Sequence, residues 1–339
     1  MTAVRVRVPA STSNLGGGFD CVGIAVDRWL QVDARVSSSV GGGAAKIATD
    51  AVRFTRSGTA SALAGTPSDD LIYRGFTIAC GAAGREVPRE VAFDVDSSIP
   101  VGRGFGSSAA ALLAGAAAAN ALLALGIPDE VVAKLCAEVE GHGDNVGPCL
   151  LGGAVFAMLH GERGLVLAPM AVHPSLRLAF AIPDFAVDTH LARAALPGSI
   201  GHRDARAAAA ASAALVLGLE RGDPELLTVG LEGPLHIPYR RELVRGYDDV
   251  VEAARSAGAI GATLSGSGSA IVAIADSASA EGAADAMAGA WSAHGVAAMP
   301  FVSAPCSRGL HIVRPGEGDS VSGTSAEQSA ASHISSNTR

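Results

Sequence analysis

Residues 100–110 read PVGRGFGSSAA, a glycine-rich turn between a strand candidate at 91–95 (VAFDV) and an uncharged, alanine-rich run. Gly102, Gly104 and Gly106 permit backbone conformations that point several N–H groups the same way, and a helix starting at Ser107 adds the positive end of its dipole. Together they form a site for phosphate. Ser107 and Ser108 have two readings, as caps of that helix or as hydroxyls that reach phosphate and metal. The run lacks the lysine that ends a Walker A loop. Gly104, Gly106 and Ala109 match GxGxxA formally, but no acidic residue follows before Asp129, which argues against a nicotinamide-binding fold.

Working outward, residues 104–128 carry no charge over 25 positions, enough by length to span a bilayer. The segment is mostly Ala and Gly with Ser107, Ser108 and Asn120 inside it, so a buried helix is expected instead. Upstream, Val4, Val6 and Val8 alternate with Arg5 and Arg7, which predicts a half-exposed strand ending at Pro9. The run 11–18 (STSNLGGG) reads as a loop, and 19–26 as an apolar strand forming one side of a cleft. Glycines 41–43 mark a hairpin or loop. Downstream, 127–140 predicts a helix with Val131, Val132, Leu135, Cys136 and Val139 on its apolar face and Glu138 beside that stripe. Strands are expected at 154–159, 176–182, 261–264 and 270–275, and helices at 205–219, 223–231 and 248–257, a mixed α/β layout. The domain boundary is placed near residue 168. Residues 315–339 have almost no large apolar side chain and are expected to form a disordered tail.

The 339 residues suffice for two domains. With 25 Lys and Arg against 33 Asp and Glu the net charge is −8, and aromatic residues make up only 4%, a balance that excludes a nucleic-acid partner. Five scattered cysteines without a CxxC pair suggest neither a disulfide framework nor zinc and fit a reducing, cytoplasmic compartment. The N-terminus has no secretory-signal pattern.

Three further stretches carry chemistry. Residues 138–153 (EVEGHGDNVGPCLLGG) gather Glu138, Glu140, His142, Asp144 and Asn145 between a helix and a strand, either as a solvated helix end or as a site. Residues 263–270 (TLSGSGSA) form a tight turn that would let backbone approach a ligand. Thr189 and Arg193 stand four apart, and Arg240 and Arg241 lie in HIPYRREL; arginine forks grip carboxylates at two points. His142, His190, His202 and His236 show no metal spacing and read as satisfied polar residues.

Taken together, VPASTSNLGGGFDCVG (8–23), PVGRGFGSSAA (100–110), EGHGDNVGPCLLGG (140–153) and SGSGS (265–269) resemble the ordered motif set of the GHMP kinases, most closely the homoserine kinase branch, over roughly residues 3–313. That resemblance implies an α+β fold with two domains: an N-terminal ATP-binding domain (1–168) and a C-terminal ferredoxin-like domain (169–314). It implies ATP and Mg²⁺ in the cleft and phosphorylation of the side-chain hydroxyl of L-homoserine, a step towards threonine. By the same resemblance, Pro100, Val101, Gly102, Arg103, Gly104, Phe105, Gly106, Ser107, Ser108, Ala109 and Ala110 would hold the ATP phosphates, with Ser108 and Glu138 near Mg²⁺. Glu140 precedes the same turn as Glu138. Asn14, Asp20, Asn145, Arg193 and Arg240 would hold homoserine, with Thr189 beside the transferred group.

Asn145 stands where mevalonate kinases and galactokinases carry a catalytic aspartate. Either Asp144 takes the hydroxyl proton instead, or no side chain does and the proton leaves with the phosphoryl group. Phe105 replaces a leucine of the pattern, Ser269 a proline, and Asp70 an asparagine near adenine. Another small-alcohol kinase of this superfamily and an idle ligand sensor on the same fold are the competing functions. Relatives often pair as homodimers, but no apolar stripe in the sequence derives one.

Overall fold

The computed structural model describes residues 2–36 and 52–313. The turn expected at glycines 41–43 and the tail expected from 315 lie outside the described residues.

The first sheet begins with β1 (Thr2–Ser13) and β2 (Val22–Val36), antiparallel along their whole length with an irregularity after Pro9. It continues through β3 (Val52–Gly58) and β4 (Val91–Ser97), which pair in parallel, while β5 (Ala154–His160) joins the start of β2 and carries β6 (Gly164–Met170) at its edge. The valines at 4, 6 and 8 are buried and Arg5 is exposed, as their alternation predicts. Against this sheet pack α1 (Leu71–Ala82), α2 (Ser107–Leu122), α3 (Asp129–Glu140) and the short α4 (Val146–Leu151).

The uncharged run is therefore α2, a central helix touching β1 on one side and α1 and α3 on others. An alanine-rich helix without charge fits there because every face meets protein. No described helix is long and apolar enough to cross a membrane.

The second sheet contains β7 (Leu176–Pro183). After it come α5 (Thr189–Ala194), α6 (His202–Arg221), α7 (Pro224–Gly230), the single turn α8 (Ile237–Arg240) and α9 (Tyr247–Ser256). Then follow β8 (Gly261–Leu264), β9 (Ile271–Asp276), α10 (Ala280–Ala293) and β10 (Ala298–Ser303). The antiparallel order β10-β7-β9-β8 is that of a ferredoxin-like unit. One face packs on α9 and α10 through Val250, Met287 and Trp291. The other sends Leu178, Phe180, Val272 and Ile274 into the core of the first sheet, so the two sheets share apolar interior.

The described chain continues past the second sheet. β11 (His311–Val313) returns to pair with β1, so the segment after β10 belongs structurally with the N-terminal sheet.

The two layers of helix beside the first sheet meet on glycine. A Cβ at Gly115 of α2 would collide with the Ile72 carbonyl of α1, whereas Gly81 of α1 has open space around its missing side chain. Gly115→Ala is expected to cost about 1–3 kcal/mol by forcing these helices apart. Gly81→Ala should be neutral or slightly stabilising, up to about 1 kcal/mol. Thermal or denaturant unfolding of the two variants checks the pair.

Candidate active site

The glycine-rich turn is wedged between the two sheets. Gly102, Gly104 and Gly106 all have positive φ, at 66°, 81° and 62°. A Cβ at Gly104 would strike the Ser265 carbonyl, and one at Gly106 the Ser11 hydroxyl. On one side Ser11 N–H donates to the Phe105 carbonyl at 3.1 Å; on the other, Ser265 Oγ donates to the Gly104 carbonyl at 2.7 Å. Arg103 binds the carbonyls of Pro183 and Asp184 at 2.9 and 2.8 Å, and Phe105 stacks obliquely on Phe180 at 4.9 Å. Both side chains thus anchor the turn. Gly106 caps α2 without any side-chain hydrogen bond, so the first amides of a 16-residue helix keep their donors free.

Two cavities meet at this helix end. One, of about 380 Å³, is walled by apolar groups such as Leu30, Leu63, Val95, Ile99 and Ala111, with Arg56, Asp69 and Asp70 among its polar groups. Asp70 caps α1 by accepting from Ile72 N–H at 2.8 Å and pairs with Arg56 at 2.5 Å. The other cavity is polar and lined by Asn14, Glu140, His142, Asn145, Arg193 and Arg240. Gly102, Ser107, Ser108 and Thr189 line both. Of the residues read as the phosphate loop, Pro100, Arg103, Ala109 and Ala110 line neither cavity, and the two alanines are wholly buried.

Long-range contacts position the polar groups. Asn145 accepts from Ser11 Oγ at 2.9 Å and donates to Ser13 Oγ at 3.0 Å. Asn14, at φ 59°, accepts the backbone N–H of Asp20 through its side chain at 2.8 Å. Asp20 in turn holds Arg193 in a two-point ion pair at 3.1 and 3.2 Å, across the two domains. Arg240 is 2% exposed, lies 5.0 Å over the Phe19 ring, and donates to the backbone carbonyls of Ala192 and Gly266 at 3.1 and 3.4 Å. Among the described residues no carboxylate forms an ion pair with it. Thr189 Oγ1 lies 3.2 Å from Ser267 Oγ.

Two readings from the sequence are corrected here. Glu138 faces outward, 46% exposed, and pairs with Lys134 one turn earlier at 2.8 Å. Glu140 instead accepts a hydrogen bond from Ser108 Oγ at 2.8 Å, so the acid facing the α2 terminus is the last residue of α3. Burial pushes the Glu140 carboxyl up, against the Ser108 hydrogen bond. Asp144 is fully buried and lines neither cavity. His142 Nδ1 stands 2.6 Å from its Oδ1. Burial alone would raise the Asp144 carboxyl, but the His142 imidazole, with Ser13 and Arg193, outweighs it and the pKa falls. Burial opposes charging His142 too, and Asp144 and Glu140 overcome it, so its pKa rises.

The residues that spacing did not reveal are Ser11, Ser13, His142 and His236. His236 is fully buried, stacks on Phe19 at 4.7 Å and lies 3.0 Å from the Asn14 carbonyl through Nε2.

The motifs and this geometry agree with the comparisons. The model of the GHMP kinases N terminal domain matches residues 70–153, and that of the GHMP kinases C terminal domain residues 215–293. A homoserine kinase of Picosynechococcus sp. is 37% identical over 311 residues, covering 89% of this chain and 96% of the relative. The chain belongs to the homoserine kinase family of GHMP kinases. A second homoserine kinase, of Gloeobacter violaceus, is 39% identical over 286 residues, 84% of this chain and 92% of its own. Among solved structures, homoserine kinase from Cytophaga hutchinsonii superposes with a TM-score of 0.79 at 28% identity, over 92% of this chain and 98% of that one. The L. major mevalonate kinase shares the fold, with a TM-score of 0.64 at 16% identity over 88% of this chain and 95% of its own.

Burial and the neighbouring Arg240 depress the His236 pKa from 6.5 to about 3. The folded protein therefore binds fewer protons here than the unfolded chain between these values. Its stabilising contribution is complete above pH 6.5 and is lost as pH falls towards 3, at up to about 1.4 kcal/mol per pH unit. Denaturant unfolding between these limits should show a shallower pH slope in His236→Gln than in the parent.

Proposed function

We propose that this enzyme, an ATP-dependent kinase acting on an alcohol, transfers the γ-phosphoryl group of ATP to the side-chain hydroxyl of L-homoserine, giving O-phospho-L-homoserine. The observation that carries this reading is Arg240, a buried guanidinium held by backbone carbonyls and the Phe19 ring without a carboxylate in an ion pair with it among the described residues, beside the phosphate turn. Burying a charge without a counter-charge is costly, and a substrate carboxylate supplies the missing partner. The Asp20–Arg193 pair supports the same substrate. A zwitterion exchanges this one internal pair for two, its ammonium on Asp20 and its carboxylate on Arg193 and Arg240. Mevalonate and sugars bring no ammonium.

The apolar cavity suits a purine nucleoside, and the free amides opening α2 receive the phosphates. Ser108 and Glu140 are oxygen donors of the kind Mg²⁺ takes, and no group of three or more His, Cys, Asp or Glu able to hold a metal occurs among the described residues. That fits an ion held by one carboxylate, a hydroxyl and substrate phosphates. When bound, the ion neutralises phosphate charge.

Asn145, fixed by Ser11 and Ser13, orients the hydroxyl but cannot take its proton. Asp144 is shut behind His142. The hydroxyl oxygen forms the new P–O bond as the bond to the ADP oxygen breaks, and the proton passes to a phosphoryl oxygen. Positioning and charge stabilisation supply the rate.

A coupled ADP-release assay should show turnover with L-homoserine and little with mevalonate or galactose; the reverse preference contradicts the reading. Glu140→Gln is expected to lower kcat by about 10²-fold or more, while Glu138→Gln leaves it within about twofold. Asp144→Asn should lower thermal stability but reduce kcat by less than about tenfold, where loss of a general base would cost 10²-fold or more.

A further inference from the structure

The segment that follows β10 crosses back to the first sheet. Pro305 bridges to Val26, Cys306 N–H donates to the Ala25 carbonyl at 2.9 Å, and Leu310 N–H donates to the Cys149 carbonyl at 2.9 Å. Beside this crossing lies a groove of about 470 Å³. Arg7, Asp27 and Trp29 supply its wall from the first sheet, Phe301 and Ser303 its wall from the second, and the connector adds Arg308. It shares no residue with either cavity of the active site.

Its chemistry is that of an anion receptor. The Arg7 guanidinium lies 5.0 Å over the Trp29 ring, and its Nε is buried without an acceptor among the described residues. Arg308, also in the lining, is exposed. The one acid present, Asp27, already accepts the Trp29 indole N–H at 2.6 Å. Two guanidinium groups and two aromatic rings line the groove, and arginine forks hold a planar carboxylate at two points. The carboxylate of Asp27 in the same groove repels a doubly charged phosphate more than a singly charged ligand.

We propose that this groove is a second ligand site that binds a small carboxylate-bearing molecule. Because both domains and their connector form its walls, the bound molecule ties the two sheets together. The site is independent of the kinase reading, since it uses none of the residues assigned to that reaction.

The chain's two tryptophans give the test. Trp29 lines the groove, whereas Trp291 is fully buried and donates its indole N–H to the Arg245 carbonyl at 2.8 Å, which makes it an internal control. The indole N–H resonances of the full chain are followed while acetate, glycolate or inorganic phosphate is added at constant ionic strength. The proposal expects a saturable shift of Trp29, unmoved Trp291, and a Kd below about 10 mM for a carboxylate probe. Arg7→Gln should weaken binding by about tenfold or more, and so should Arg308→Gln, whose exposed connector position spares the fold. Absence of a saturable shift with both carboxylates overturns the proposal, as does a shift that persists at full strength in both variants. Tighter binding of phosphate than of either carboxylate overturns the ligand class.

Discussion

The structure depends on delivering the amino end of one buried helix, uncovered, to the seam between two sheets. α2 has no charged residue and few bulky ones, so β1, α1 and α3 can approach it closely, and its axis is held by packing on every side. A helix so fixed presents its first amides at a set place. Gly106 then caps it by backbone conformation alone, leaving for a ligand the one or two donors that a serine or aspartate cap would have taken. Phosphate affinity is thus a consequence of how the core is packed.

The same seam accounts for the acceptor side. Asp20 and Arg193 come from different domains, and so do Ser11 and Ser265, which grip opposite sides of the glycine turn. The shared apolar interior, with Phe105 against Phe180, keeps these contributions in register. The buried Arg240 is held by two backbone carbonyls and the Phe19 ring, with no carboxylate in an ion pair with it among the described residues. A buried charge without an acidic partner suits a site where a substrate carboxylate supplies one.

Much of this was legible in the sequence. The described elements follow the alternation at residues 4–8, the uncharged run and the glycine turn, and the apolar stripe of α3 is followed at Val132 and Cys136 but not at Val131, which is exposed. Other features were hidden for definite reasons. Residues 11–13 look like loop because they are small and polar, yet β1 runs through them. Their hydroxyls are buried against Asn145 and Ser265 from far along the chain, a pairing no local pattern signals. Helical periodicity could place Glu138 beside the stripe but could not show that Lys134 claims it while the last residue of the helix, Glu140, meets Ser108. His142 and His236 lacked metal spacing, and their partners, Asp144 and the Asn14 carbonyl, emerge only from the fold.

The central claim is that the acceptor pocket exchanges an internal ion pair for a zwitterion. Calorimetric binding of L-homoserine, 4-hydroxybutyrate and 3-amino-1-propanol to the same protein tests it directly, since the last two each keep the hydroxyl and one charge. Homoserine should bind about a hundredfold more tightly than either; equal affinity for all three would contradict the account.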